Sequence, residues 1–150
     1  MSKKHILLIV LISISLDQIT KFIVEENTNI LKNGLQITSF FNLVYVENRG
    51  VSFGMFAEHD KSFYFGILSV LISLYIIYLI LNSKKFLELL GLSLILGGAL
   101  GNGLDRIFYG YVVDFIDFHL NHYHWPAFNV ADTSITLGAI AFVSSLIFEK

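Results

Sequence analysis

The chain has no cysteine, one proline and few charged residues among its 150 positions. Without cysteine it can form neither a disulfide nor a thiolate metal site, and it offers no thiol nucleophile. Charged residues make up 15% and apolar residues 55% of the sequence, whereas ordinary globular chains are about 25% charged. This composition leaves too little polar surface for a water-soluble domain and indicates a membrane protein.

Long runs of lysine and arginine are also missing, and the formal net charge is −2. Nucleic acids are bound through their phosphates, which require a concentrated basic surface. We therefore expect no nucleic-acid partner, and membrane lipids are the expected surroundings.

Four long apolar stretches occur, at about residues 6–24, 63–81, 86–104 and 130–148. The hydrocarbon core of a bilayer is about 30 Å thick and is crossed by roughly 20 mostly apolar residues in a helix. Each stretch is apolar around its whole circumference, as a lipid-facing helix requires. The sequence therefore predicts a single integral membrane domain over residues 1–150, all-α in its spans, with four transmembrane helices.

The distribution of lysines indicates how these helices are oriented. If the spans alternate in direction, one side of the membrane receives Lys3, Lys4, Lys84, Lys85 and Lys150, although as many basic residues fall on the other side. Basic residues in short loops favour the cytoplasmic side. We therefore expect an inner membrane protein with both termini cytoplasmic and the two longer connections at the outer, periplasmic face.

The two longer connections differ in composition from ordinary loops. Residues 35–56 and 109–118 are rich in β-branched and aromatic side chains, with partial alternation and punctuating glycines. Tyr123 and Trp125 are residue types that favour the boundary between lipid and water. The sequence predicts a small β-sheet, or β-cradle, at the outer membrane surface.

Most polar residues that accompany the spans fall on this outer face. They are Asp17, Lys21, Asn48, Asn102, Arg106, Asp114, Asn129 and Asp132. An ionisable side chain near the hydrocarbon costs about 2.5–3.5 kcal/mol on insertion scales. Such a gathering predicts a functional pocket.

Two carboxylates in this set come from separate elements. Asp114 follows two valines in an extended segment, and Asp132 lies at the start of the fourth span. If they meet, both cannot ionise at close range, so one holds a proton while the other can accept one from water. Taken singly, Asp132 also suits a helix cap and Asp114 a surface strand. The pair therefore needs further support.

Helical spacing defines two further pairs. Asp17 and Lys21 are four residues apart, share a helix face and can form a structural ion pair. Asn102 and Arg106 share a face of the third span, whereas Asp105 is turned away from them by about 100°. We expect Asn102 and Arg106 to present hydrogen-bond donors at the outer face.

The third span also carries a segment of small residues at 97–101. A glycine-rich nucleotide-binding turn follows a strand in a soluble βαβ unit, which this sequence lacks. The segment therefore predicts close packing between helices.

Five sequence blocks extend over nearly the whole chain. They are Asp17-Gln-x-x-Lys21, Asn48-Arg-Gly50-Val-Ser-Phe53, Gly97-Gly-Ala-Leu-Gly-Asn102-Gly-Leu-Asp-Arg106, Gly110-Tyr-Val-Val-Asp114-Phe115 and Phe128-Asn129-Val-Ala131-Asp132. With these five blocks in this order, the chain resembles the lipoprotein signal peptidases, the signal peptidase II family. It departs from the family at Val51-Ser52, where many members have alanines, and at Gly103, where many have a bulkier apolar residue. We expect these departures to affect the shape of the pocket.

The resemblance implies an aspartic endopeptidase that needs no metal or other cofactor and acts at a periplasm-facing β-cradle. Its substrate class is the diacylglyceryl-modified prolipoprotein, cut just before the lipidated cysteine. Asp114 and Asp132 then correspond to the catalytic dyad, while Asp17 and Lys21 match structural polar residues of less certain role. Substrate-binding roles are implied for Asn48, Gly50, Asn102, Arg106 and Asn129. We expect the enzyme to act as a monomer.

Three other functions are open. A metal site is possible because four candidate ligands lie within eight residues, namely Asp117, His119, His122 and His124, although the His-Glu-x-x-His helix of zinc proteases is missing. The polar cluster also suits a small transporter for ions or protons, but it lies at one face instead of the midplane. A non-catalytic membrane subunit is the third possibility.

Overall fold

The computed structural model describes residues 1–50 and 61–149. Its elements, in chain order, are helices α1 (Lys3–Glu26) and α2 (Thr28–Leu31), strands β1 (Leu35–Thr38) and β2 (Phe41–Asn48), helices α3 (Ser62–Asn82) and α4 (Phe86–Phe108), strands β3 (Val112–Leu120) and β4 (Tyr123–His124), and helix α5 (Val130–Phe148). Lys150 and the segment 51–60, which includes Val51, Ser52 and the last part of the predicted 35–56 strand region, lie outside the described residues.

Four of these helices are long and apolar enough to cross a membrane. They are α1, α3, α4 and α5, and they contain the four stretches predicted from the sequence. Large apolar side chains on their outer surfaces are exposed, including Leu11 on α1, Tyr75 on α3 and Ile140 on α5. Exposed apolar side chains on spanning helices are those that face lipid. The predicted fold class of four transmembrane helices with a small sheet is confirmed.

Helix α4 is the central span, and α1, α3 and α5 pack around it. In an apolar stretch of 18 consecutive residues of α4, 61% are buried, against 22% in the corresponding stretch of each of the other three spans. Its glycines allow this close approach. A Cβ at Gly98 would lie 2.3 Å from the Ala131 carbonyl oxygen of α5, and one at Gly97 would lie 2.5 Å from Ser13 Cβ of α1. The glycine-rich segment therefore packs helices together, as predicted.

Gly103 belongs to a different surface of α4. A Cβ at this position would lie 2.9 Å from Ser69 Cβ on α3, and Gly103 is not among the residues that line the large cavity described below. The expectation that this departure changes the pocket shape is wrong, because the residue faces the neighbouring span.

The four strands form one antiparallel sheet in the order β1-β2-β3-β4. The two regions predicted to form the sheet do pair with each other, because β3, which begins in the 109–118 region, pairs with β2 of the 35–56 region. A register shift between Leu43 and Val46 sets Val46 opposite Asp114. A bridge from Ile116 to Phe128 ties the sheet to the residues just before α5. Neither α2 nor the two-residue strand β4 was predicted.

The sheet lies at the end of the bundle where α1 and α4 end and α5 begins, because it follows the first two and leads into the third. One apolar cluster fills the sheet end and contains Val24 and Leu31 with Val113 and Phe115 of β3. Successive strand side chains point to opposite faces. Because Val113 and Phe115 occupy this core, Val112 and Asp114 face the other side.

Candidate active site

A cavity of about 550 Å³ lies where β3, the end of α4 and the start of α5 meet. Among the described residues, the polar side of its wall comprises Asn48, Asn102, Arg106, Asp114, Asp132, Thr133 and Thr136. The other side is apolar and comprises Val112, Trp125, Pro126, Ala127, Phe128, Ile135 and Leu137. Five of the residues predicted for the pocket therefore share one cavity.

Asp114 is held on β3 by two neutral amides. Asn48 Nδ2 donates to its Oδ2 over 2.9 Å, and Asn129 Nδ2 donates to its Oδ1 over 2.7 Å. The side chain is buried, with 3% relative exposure. Burial raises the pKa of Asp114 to about 6, the hydrogen bond from Asn48 opposes this shift, and the nearby carboxylate of Asp132 adds to it. Because of its buried position, Asp114 therefore keeps a proton to a higher pH than an ordinary aspartate does.

Asp132 occupies the third position of α5 and closes a capping box with Asn129. The Asp132 backbone N–H donates to Asn129 Oδ1 over 2.9 Å, and the Asn129 backbone N–H donates to Asp132 Oδ2 over 3.2 Å. Asn102 Nδ2 donates to the remaining oxygen, Oδ1, over 2.8 Å. Asp132 therefore both caps α5 and lines the cavity, because the cap fixes its carboxylate in the cavity wall.

Asn129 connects the two carboxylates. Its side-chain oxygen caps α5 beside Asp132, and its Nδ2 donates both to Asp114 Oδ1 and, over 3.2 Å, to Asn102 Oδ1. The residue itself is fully buried. One asparagine therefore fixes the relative position of two acids that lie 18 residues apart in the chain, 114 and 132.

Arg106 and Gly50 form another part of the polar wall. Arg106 Nη2 donates to the Gly50 carbonyl oxygen and Nη1 to that of Asn102, each over 3.3 Å. The Gly50 N–H donates to Asn48 Oδ1 over 3.0 Å. This leaves Asn48 Nδ2 directed at Asp114, and it places a guanidinium next to the acids. Within residues 1–50 and 61–149, the buried Arg106 Nε has no hydrogen-bond partner.

Behind this wall, Asp17 and Lys21 form the ion pair that their spacing predicts, at 2.7 Å. The structure adds a second carboxylate that the sequence reasoning missed, because Asp105 Oδ2 lies 2.6 Å from Lys21 Nζ. Asn102 and Asp105 lie three residues apart on α4 and share a helix face, and both accept from Lys21 Nζ of α1. The expectation that Asp105 is turned away from Asn102 is therefore wrong. A lysine deep in a span is itself a signal that more than one acceptor is present.

The histidine-rich segment lies at the far end of β3. His124 Nδ1 lies 2.9 Å from Asp117 Oδ1, and the rings of His119 and His124 stack at 5.0 Å. His122 is exposed in the turn between β3 and β4. Outside the undescribed segment 51–60 and Lys150, no group of three or more His, Asp or Glu side chains is arranged to hold a metal ion.

A comparison with protein families identifies the family of this chain. A family model described as "Signal peptidase (SPase) II" matches residues 9–148. The chain belongs to the signal peptidase II family. It is therefore a membrane-bound protease, and its four apolar helices make it a multi-pass protein of the inner membrane.

Individual relatives agree with this family. A lipoprotein signal peptidase of Francisella tularensis subsp. mediasiatica is 40% identical over 152 residues, which cover 98% of this chain and 93% of that protein. A lipoprotein signal peptidase of Desulforapulum autotrophicum is 44% identical over 144 residues, which cover 93% of this chain and 89% of that protein. A bacterial membrane enzyme solved by the in meso method at 2.3 Å superposes with a TM-score of 0.87 at 30% identity, with 97% of this chain and 88% of that chain covered.

Proposed function

We propose that this signal peptidase II family member is an aspartic endopeptidase that releases signal peptides from diacylglyceryl-modified prolipoproteins by cutting before the lipidated cysteine. The observation that carries the proposal is the link through Asn129. This one side chain holds Asp114 by its amide and fixes Asp132 by its cap, and both acids line the same cavity.

The two carboxylates supply acid and base for peptide hydrolysis. A water held between Asp114 and Asp132 loses a proton to the ionised carboxylate as its oxygen attacks the scissile carbonyl carbon. The protonated carboxylate gives its proton to the carbonyl oxygen. When the C–N bond breaks, the carboxyl group that took the proton from water gives it to the leaving amine nitrogen. The other carboxylate takes a proton from a hydroxyl of the tetrahedral intermediate as the new carboxyl product forms, so both acids return to their starting states. No covalent link between enzyme and substrate forms.

The amides and the guanidinium beside the dyad have a separate part in this reaction. Preorganised donors stabilise charge that develops on the carbonyl oxygen. Arg106 lies on the cavity wall with Nε unpaired within the described part of the chain. We assign Arg106 to stabilising this oxygen, and Asn48 and Asn102 to holding the acids and the substrate backbone.

The apolar side of the cavity suits a lipid-bearing substrate. Its residues include Trp125, Phe128 and Leu137, and Trp125 is 64% exposed. A substrate anchored by acyl chains presents its scissile bond at the membrane surface, where water is also available. We place this end of the bundle at the periplasmic face, with both termini in the cytoplasm.

The direct test is incubation of the purified protein with a diacylglyceryl-modified prolipoprotein. The wild type is expected to release the signal peptide. Asp114→Asn and Asp132→Asn are each expected to lose at least about 10²–10⁴-fold in rate, because each removes one of the two proton-transfer groups. Cleavage is followed by gel shift and mass spectrometry of both products.

Asp117→Asn is the matched control for these variants. Asp117 is the second aspartate of β3, buried and hydrogen-bonded like Asp114, but it does not line the cavity. It is expected to cut at close to the wild-type rate at a temperature where it is folded. Full activity in either dyad variant, or an uncut substrate with the wild type, would refute the proposed function.

A further inference from the structure

The ammonium group of Lys21 is buried and has as many acceptors as protons. Nζ donates to Asp17 Oδ2 over 2.7 Å, to Asp105 Oδ2 over 2.6 Å and to Asn102 Oδ1 over 2.8 Å. A lysine has three donors and no acceptor. Its orientation is therefore fully determined, and only the third of these partners reaches the active-site cavity.

This contact decides which way the amide of Asn102 points. The atom of Asn102 that faces Lys21 must be the oxygen, because an NH₂ group there would oppose an ammonium that cannot accept a hydrogen bond. Asn129 Nδ2 donates to the same oxygen over 3.2 Å. With Oδ1 held by two donors, Nδ2 is left to donate to Asp132 Oδ1. The charge of Lys21 is thus one amide away from Asp132.

The two carboxylates that flank Lys21 are anchored in turn. Asp17 Oδ1 accepts from the Ala131 N–H, at the first turn of α5, over 2.8 Å. Asp105 Oδ1 accepts from Gln18 Nε2 over 2.9 Å. All three helices that meet at the site therefore contribute to the position of one ammonium group.

We infer that Lys21, held by Asp105, is a positioning residue that orients the Asn102 amide towards Asp132 and makes Asp132 the ionised member of the dyad at the start of the reaction. This inference rests on the proposed function. Lys21 and Asp105 line a separate cavity of about 170 Å³ and not the active-site cavity, so neither touches the substrate.

The environments of the two acids support this division of roles. Among residues 1–50 and 61–149, Asp114 accepts only from the neutral amides of Asn48 and Asn129. Asp132 accepts a backbone N–H at the N-terminus of α5, where the helix dipole favours a negative charge. Its other donor is an amide whose oxygen is bound to Lys21, and hydrogen bonds in such a chain strengthen one another. The proton therefore starts on Asp114, and Asp132 takes the proton from water.

The test separates positioning from mere folding by a pair of substitutions. Lys21→Met alone leaves two buried carboxylates without their cation, which destabilises the fold. Combining it with Asp105→Asn restores the net charge of the Asp17, Lys21 and Asp105 group. If this group only stabilises the fold, the double variant regains both thermal stability and kcat.

The positioning role predicts a different result for the double variant. Its thermal stability is expected to recover relative to Lys21→Met, whereas its kcat stays about 10–100-fold below the wild type with KM unchanged, as for residues that orient a catalytic group. Lys21→Arg, which keeps a charged donor, is expected to retain more kcat than the double variant. Asp117→Asn, which changes a buried carboxylate outside this network, is the control and keeps its kcat.

Three outcomes would overturn the inference. They are a folded double variant with wild-type kcat, a loss confined to KM, and a double variant that does not fold, which would assign the group to folding alone. Failure of the proposed function is recognised separately, because the wild type then leaves the prolipoprotein uncut or the Asp114→Asn variant still cuts it.

Discussion

Asp114 combines a buried position with partners that carry no charge. Its hydrogen-bond donors in the described part of the chain are the amides of Asn48 and Asn129, and burial raises its pKa from the ordinary 3.8 to about 6. An ionised carboxylate at this position is therefore destabilising near neutral pH. Such a cost is common where a site needs an acid that stays protonated.

Asp114→Asn is accordingly expected to stabilise the protein while it abolishes cleavage. The folded protein binds a proton at Asp114 more tightly than the unfolded chain does, so the free energy of unfolding falls as pH rises from about 4 to about 6. The difference between the two pKa values corresponds to at most about 3 kcal/mol. Thermal unfolding in detergent should give a higher Tm for the variant near pH 7 and a smaller difference near pH 4.

Asp117→Asn should behave in the opposite way. Burial opposes ionisation of Asp117, but hydrogen bonds from Asn42 and His124 outweigh it and hold the pKa of Asp117 below its ordinary value. The ionised form stabilises the fold above about pH 4, and this contribution is lost as pH falls. A lower Tm for this variant near pH 7 is expected. Equal Tm shifts of one sign in both variants would contradict the assigned environments.

The individual acids were predictable from the sequence to different degrees. Asp114 and Asp132 could be placed on one membrane face from the number of spans between them, and their family blocks pointed to a dyad. Asp105 was missed because its partner lies on another helix, at Lys21. Which faces of two apolar helices meet depends on packing, and periodicity does not encode it when a helix is apolar all round.

Among the elements, α4 depends most on the absence of side chains. At Gly98 a Cβ would lie 2.3 Å from the Ala131 carbonyl oxygen and 2.7 Å from Ile135 Cγ1. A backbone atom cannot move aside as a flexible side chain can. The surface of α4 that lacks a side chain at Gly98 therefore sets the position of the start of α5, with Asn129 and Asp132.

Gly98→Ala is expected to push α5 away from α4. Overpacking of this kind costs about 1–3 kcal/mol, and it also displaces Asp132 from Asn102. Both Tm and kcat should fall, measured by unfolding in detergent and by prolipoprotein cleavage. Ala139→Val, on the exposed face of α5, adds more volume and should change neither quantity. Wild-type Tm and kcat for Gly98→Ala would show that this contact does not set the site.

The spans were predictable because a run of about 20 apolar residues has few possible structures other than a transmembrane helix. The short elements were not predictable. The helix Thr28–Leu31 and the strand Tyr123–His124 have four and two residues. Elements of that length have no measurable period, and they form because the apolar cluster around Leu31 and the bridge from Ile116 to Phe128 hold them in place. Tertiary contacts decide such segments.

The whole molecule places its catalytic candidates at one end of the bundle, and its lack of cysteine allows a direct test of which side of the membrane that end faces. Two single-cysteine variants serve as probes. His122→Cys places a cysteine in the exposed β3–β4 turn, and Asn82→Cys places one at the exposed end of α3. In cells with a permeabilised outer membrane, a membrane-impermeant maleimide should label the first and not the second. The reverse pattern would place the dyad in the cytoplasm and contradict the proposed orientation.

The order of elements along the chain has a consequence for biosynthesis. Helix α5 brings Asn129 and Asp132, and it follows every other element of the site. A nascent chain that has inserted only through β3 has Asp114 and its partner Asn48, but it lacks Asn129 and the second acid. Proteolytic competence should therefore arise in one step, when the last span docks on the glycines of α4, so that no partly synthesised chain can cleave its neighbours in the membrane.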